Sequence, residues 1–275
     1  MARLNRPVPF TLSHIAAVLP AHRPLRRRGL LAAAIIGSMI PDFGFLLPWP
    51  VTRAQTHGAL ALVTFCLPMG LCFWYLFQLL VRPAWCAVFP EAWTQRLRAD
   101  HPATRPWQWR SGLGAAAAIL LGALTHLVWD GFTHEGGRGV RMLPMLDDYG
   151  PEIVGHSLQL FRWLQLGSSI LGLAVVAASA WRWSRGMAPP PPPQADPSAL
   201  PSAERRAWLS LYVLLPLALL ALALALGWQH PRPWMTGTDT ARRIAYLALG
   251  GASMSLLLVS ALIRVRLLRR ARLDA

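Results

Sequence analysis

Long apolar runs, each about as long as a bilayer is thick, decide what this chain can become. Ala59 to Val81 carries no charged residue, and Ser111 to Thr133, Leu160 to Trp183, Ala207 to Trp228 and Ala241 to Ile263 hold any ionisable residue toward their ends. A hydrocarbon core near 30 Å needs about 20 such residues to cross it, and within it every backbone N–H and C=O must be paired inside the segment. These runs are therefore expected to be transmembrane α-helices. Pro68 should kink the first of them, since it removes an N–H and clashes with the preceding turn. Two shorter apolar pieces precede them. Residues 8 to 22 have prolines toward both ends and are too short for an ordinary crossing, so they read as a thinned crossing or a re-entrant segment. Leu30 to Leu47 contains Pro41-Asp42 about two thirds of the way along. The expected fold class is all-α, a polytopic integral membrane helix bundle with six to seven hydrophobic segments.

Composition agrees: 54% of residues are hydrophobic and only 14% charged. The net charge of +15 comes from arginine alone, as the chain has no lysine. Such a charge invites a nucleic-acid partner, but the arginines stand between apolar runs, as in the cytoplasmic loops of membrane proteins, so no nucleic acid is expected. Loops 82–110, 182–206 and 264–275 hold fourteen arginines, and the turn at 23–28 adds four; the alternate segments hold seven. The positive-inside rule then places the C-terminus in the cytoplasm. Three parts follow: residues 1–183 as a membrane domain, 184–206 as a proline-rich cytoplasmic linker with five consecutive prolines at 189–193, and 207–275 as a C-terminal helix pair with a basic tail. The N-terminal segment lacks a cleavage site and should be retained. Cys66, Cys72 and Cys86 form no C-x-x-C pair and are expected to stay free.

The chemistry concentrates in Thr125 to Gly136, THLVWDGFTHEG, which closes the Ser111 to Thr133 run. His126, Asp130 and His134 are spaced four apart, so on a helix they share one face. Asp at the centre of a transmembrane helix costs at least about 2.5 kcal/mol, so such a cluster requires a reason. Topology supplies one. With the C-terminus inside, Asp42, His57, His126, Asp130 and His134 all fall at the non-cytoplasmic level, and His14 joins them if residues 8 to 22 run inward. A mixed imidazole and carboxylate set suits a divalent metal, zinc first. His14, Asp42, His57, His126, Asp130 and His134 are the candidate ligands, and Asp130, Asp42 or Glu135 the candidate general base or orienting carboxylate. Two alternatives stay open: a structural polar network, and an ion or proton path.

The pieces FTLSHIAAVLP, GSMIPDF, TRAQTHGA and THLVWDGFTHEGG, in this order and spacing, resemble an uncharacterised bacterial membrane-protein family, a domain of unknown function. They also resemble a divergent form of the membrane-bound metal-dependent hydrolase family, whose pattern has an early helical His, then P-D-x-D-H, H-R-x-x-T-H-S and H-x-x-x-D. By position the resemblance implies ligand roles for His14, Asp42, His57, His126 and Asp130. Gly44 and Phe45 replace the second Asp and the His of P-D-x-D-H, and Thr52 replaces the His before Arg53, which leaves ligands for one metal ion rather than two. The resemblance implies a hydrolase in a bacterial cytoplasmic membrane. The depth of the cluster implies a lipid-borne or amphipathic substrate at the non-cytoplasmic face, phosphoesters among the candidates.

Overall fold

The structure is a computed structural model that describes residues 11–46, 51–100, 108–152, 157–186, 200–228 and 237–273. The five-proline tract, with most of the linker expected at 184–206, lies outside the described residues. Every regular element among the described residues is helical, and an isolated bridge pairs Tyr149 with Gln159. Five helices are long and apolar enough to cross a membrane, and Leu31–Gly44 adds a shorter apolar helix. The expected count of hydrophobic segments is thus closely matched.

The described residues begin with a 3-10 helix, Thr11–Ala17, and pass through a short arginine-bearing helix, His22–Arg27, to a turn where Gly29 adopts a positive φ of 70°. Helix α1, Leu31–Met39, then returns and tightens into a 3-10 turn, Ile40–Leu46. A short helix α2, Arg53–His57, is started by a capping box in which the Thr52 hydroxyl accepts from the Gln55 N–H while the Gln55 side chain accepts from the Thr52 N–H. Helix α3, Leu62–Val88, is the first full span. It widens into π-turns at Leu62–Cys66 and Phe77–Val81, and each closes on the residue before a proline, Leu67 before Pro68 and Arg82 before Pro83. A proline has no N–H for the carbonyl four residues back, and widening the preceding turn accommodates that loss. What the structure shows at Pro68, where a kink was expected, is this local change of winding. Helix α4, Trp109–Thr133, α5, Leu160–Arg185, α6, Ser202–Trp228, and α7, Gly237–Leu273, complete the set.

Two compact units emerge. One contains residues 10–74 and 103–186, the other 75–102 with the C-terminal helices, and the boundary falls inside α3. In the first unit α1 and α4 run parallel at very close range. A Cβ on Gly37 would collide with the backbone of Ile119, and one on Gly122 with the backbone of Ala34 and Ser38. Small residues at such a crossing let two backbones touch in lipid. Ala33, Ala34, Ala115, Ala118 and Ile119 pack around this contact together with the fully buried Trp74. The consequence is positional: the C-terminal ends of α1 and α4 arrive side by side, and the polar residues of both lie at one level. In the second unit Ala84 and Val88 of α3 pack against Leu200 and against Val259 and Ile263 of α7. There the Tyr212 hydroxyl is 2.8 Å from the hydroxyl of Ser260, joining α6 to α7.

Candidate metal centre

Five polar side chains from four segments meet where α1 and α4 end: His14 from the first 3-10 helix, Asp42 from the turn after α1, His57 from α2, and His126 and Asp130 from α4. His126 is fully buried, and its Nδ1 lies 2.8 Å from the carbonyl oxygen of Ser38. A carbonyl only accepts, so Nδ1 carries a proton and Nε2 is the nitrogen turned toward the cluster. His57 is arranged in the same way. Its Nδ1 is 2.7 Å from the Thr56 hydroxyl, which also lies 3.4 Å from the Arg53 carbonyl oxygen, so Nδ1 is held and Nε2 is the nitrogen turned to the cluster. The Nε2 atoms of His57 and His126 are both buried without a hydrogen-bond partner.

Those two nitrogens face carboxylate oxygens. His57 Nε2 is 3.3 Å from Asp42 Oδ1 and 3.4 Å from Asp130 Oδ2; His126 Nε2 is 3.7 Å and 3.5 Å from the same two atoms. A nitrogen lone pair and a carboxylate oxygen at this range repel unless a proton or a metal ion lies between them. Ligand atoms about 2.0 to 2.1 Å from a tetrahedral ion stand roughly 3.3 Å apart, so the observed separations fit one shared ion after little adjustment. Within each triad, His14–Asp42–His126 and His57–His126–Asp130, the ligand atoms all lie within 4.8 Å of one another. The His14 ring stacks on that of His126 at 3.8 Å between centroids, and His14 Nε2 lies 3.7 Å from Asp130 Oδ1.

An outer layer orients these groups. The Thr11 hydroxyl donates to Asp42 Oδ2 at 2.8 Å, which leaves Oδ1 turned toward the histidines. Arg53 Nη2 donates to Asp130 Oδ2 at 2.6 Å. Fixing ligands through such partners is typical of metal centres. His134 stands to one side, with Nδ1 3.5 Å from Asp130 Oδ1 and 3.2 Å from the Thr133 hydroxyl, and Nε2 3.0 Å from the Gln165 amide nitrogen of α5. It belongs to neither triad. Burial pushes the His57 imidazole below its ordinary value near 6.5, against an opposing contact with Asp42; burial lowers His134 too, against the attraction of Asp130. Both are therefore neutral at pH 7, the form a metal or a proton acceptor requires.

A cavity of about 560 Å³ opens beside the cluster. Asp130, His57, Arg53 and His134 line it, while His14, Asp42 and His126 stand behind that wall. Its other sides are apolar, from Leu62, Leu124, Val128 and Phe132, and basic, from Arg138 and Arg141. The segment carrying those arginines, which includes the short helix Arg138–Met142, folds back over the end of α4. Gly136 turns it with a positive φ of 67°, and Gly137 and Gly139 approach Gly131 and Phe132 so closely that a Cβ on either would collide. Arg141 donates to the Gly136 carbonyl within this loop. Glu135 is exposed on the cavity lining. His14, Asp42, His57, His126 and Asp130 are thus brought together as a group. The supporting residues Thr11, Ser38, Arg53, Thr56 and Gln165 were not evident from the sequence, although Arg53 lies one helical turn before His57 and Thr11 three residues before His14.

A family model described as a domain of unknown function, DUF4184, matches residues 8–261, and the chain belongs to that family. Comparison with curated proteins gives no match. Comparison with solved structures gives none either.

Proposed function

We propose that this member of a family of unknown function is a membrane-embedded, metal-dependent hydrolase with one divalent ion, zinc by preference. The observation that carries the proposal is the pair of buried, unpartnered Nε2 atoms of His57 and His126 aimed at Asp42 and Asp130. A purely structural network would satisfy its buried nitrogens, because an unsatisfied one costs about 1–3 kcal/mol. His57, His126, Asp42 and Asp130 would hold the ion, with His14 as a further ligand. A bound ion of this kind supplies a Lewis acid and a water ionised near neutral pH.

The chain's own groups divide the remaining work. Arg138 and Arg141, on the basic side of the cavity, would bind an anionic headgroup, and Arg53 would hold Asp130 in place while facing the same space. The exposed stripe Leu121, Leu124 and Val128 on α4 leads to the apolar wall, a path for an acyl chain from the bilayer. This pairing of basic and apolar walls supports an amphipathic, lipid-borne phosphoester as substrate. Asp130 Oδ1, the oxygen that Arg53 does not hold, would accept a proton from water in the cavity and return it to the leaving group. The arginine balance between loops supports a site at the non-cytoplasmic face of a bacterial cytoplasmic membrane, with the C-terminus inside.

The test is hydrolysis of a long-chain chromogenic phosphoester by the purified full chain in detergent with added zinc. Wild type should turn over, His57→Ala and Asp130→Asn should lose about 100-fold or more, and Arg138→Gln with Arg141→Gln should raise KM more than they lower kcat. Equal rates for wild type and His57→Ala would reject the proposal.

A further inference from the structure

A second cavity, of about 450 Å³, lies in the unit formed by residues 75–102 and the C-terminal helices, apart from the His/Asp cluster. Arg82 of α3, Arg98 of the helix Glu91–Asp100, and Arg264 and Arg270 of α7 line it, together with Pro83, Cys86, Ala87, Leu267 and Leu268. Guanidinium groups keep their charge at any pH a protein meets, so the lining is basic throughout that range. Glu204 of α6 accepts from Arg266 Nε at 3.0 Å and is also drawn to Arg270.

Arg82 stands toward one end of the span Leu62–Val88, and Arg264 and Arg270 toward one end of the span Leu247–Arg272. The cavity therefore combines the ends of two spans, where lipid headgroups reside, with an apolar side from Leu267 and Leu268. Arginine is the residue best suited to phosphate, since its planar fork binds two oxygens at once. Basic pockets between spans are also where anionic lipid headgroups dock.

We propose that this cavity binds a phosphate-bearing anion held by Arg82, Arg98, Arg264 and Arg270. The ligand can be the headgroup of an anionic phospholipid or free phosphate, and the two sources are separable because Cys86, a free thiol, lines the same cavity. The experiment follows the rate at which N-ethylmaleimide labels Cys86 in the full chain, read by peptide mass spectrometry, with a soluble model thiol in the same suspension as the control. The chain is placed in nanodiscs of phosphatidylcholine, in nanodiscs of phosphatidylglycerol, and in phosphatidylcholine with inorganic phosphate added. A ligand at ~10 times its dissociation constant should slow Cys86 about tenfold and leave the model thiol unchanged. Protection by phosphatidylglycerol alone identifies a lipid site, and protection by phosphate in phosphatidylcholine identifies a soluble anion. Protection should vanish in Arg82→Gln/Arg264→Gln and persist in Arg82→Lys/Arg264→Lys and in Arg266→Gln, the last two showing that the chain remains folded. If neither ligand slows Cys86, or if protection persists in the double Gln variant, the proposal is wrong.

Discussion

Adding one methyl group at Gly122 should disable a centre that Gly122 does not touch. A Cβ there would lie 2.6 Å from the Ser38 nitrogen and 2.9 Å from the Gly37 carbonyl carbon, both backbone atoms of α1 that cannot rotate away. Ordinary contact needs about 3.5 Å, so α1 and α4 must separate by roughly 1 Å at the crossing. Overpacking of this kind costs typically 1–3 kcal/mol. The same displacement would strain the 2.8 Å bond from His126 Nδ1 to the Ser38 carbonyl and move Asp42 away from His126. Disturbing the partners that orient a ligand lowers metal affinity about 10- to 100-fold, or about 1.4 to 2.7 kcal/mol. Gly112, on the same helix, is the control, because a Cβ there meets nothing within 4 Å. Gly112→Ala should be neutral or stabilising by up to about 1 kcal/mol from helix propensity alone. The assays are thermal unfolding in detergent and zinc competition against a chromogenic chelator. If Gly122→Ala melts and binds zinc as Gly112→Ala does, then the close crossing does not position the centre.

Thr11→Val removes the donor to Asp42 Oδ2, a charge-assisted bond worth about 1.5–3 kcal/mol. Zinc affinity by chelator competition should fall by at least about tenfold, and an unchanged affinity would remove Thr11 from the orienting layer. Because burial lowers His57 and His134 from 6.5, both imidazoles take up a proton only below that value. In the metal-free chain their imidazole NMR shifts should therefore stay level from pH 8 to about 6.5 and move only below it; a titration midpoint above 6.5 would contradict neutral, buried imidazoles. The same sign governs folding of the metal-free chain: their contribution is complete above pH 6.5 and is lost as pH falls toward the lowered values, measurable as an acid-side drop in Tm.

The fold class was legible because hydrocarbon leaves helices as the solution for runs such as Ala59 to Val81. The site was legible for a topological reason. Asp42, His57, His126 and Asp130 fall at one membrane level once the spans are laid out in alternation, and only parallel packing of α1 on α4 was needed to turn a shared level into contact. The sequence was silent on what tertiary packing alone creates. The Ser38 carbonyl acts because Gly37 and Gly122 allow the helices to touch, and Gln165 reaches His134 from a different span. Arg53 entered only in the arginine count and within the piece TRAQTHGA, although its place one turn before His57 was a signal that could have been taken. The arginine cavity was hidden because Arg82 and Arg264 are far apart in sequence and meet only through the packing of Ala84 and Val88 on Val259 and Ile263.

The central claim is that His57, His126, Asp42 and Asp130 hold a divalent ion, and metal content tests it most directly. Full-length protein purified in detergent without chelator should carry close to one equivalent of zinc, manganese or iron by elemental mass spectrometry. His126→Ala and Asp42→Ala should carry almost none while keeping the helical circular dichroism of wild type. A folded wild type with no stoichiometric metal, or a metal content that His126→Ala leaves unchanged, would contradict the claim.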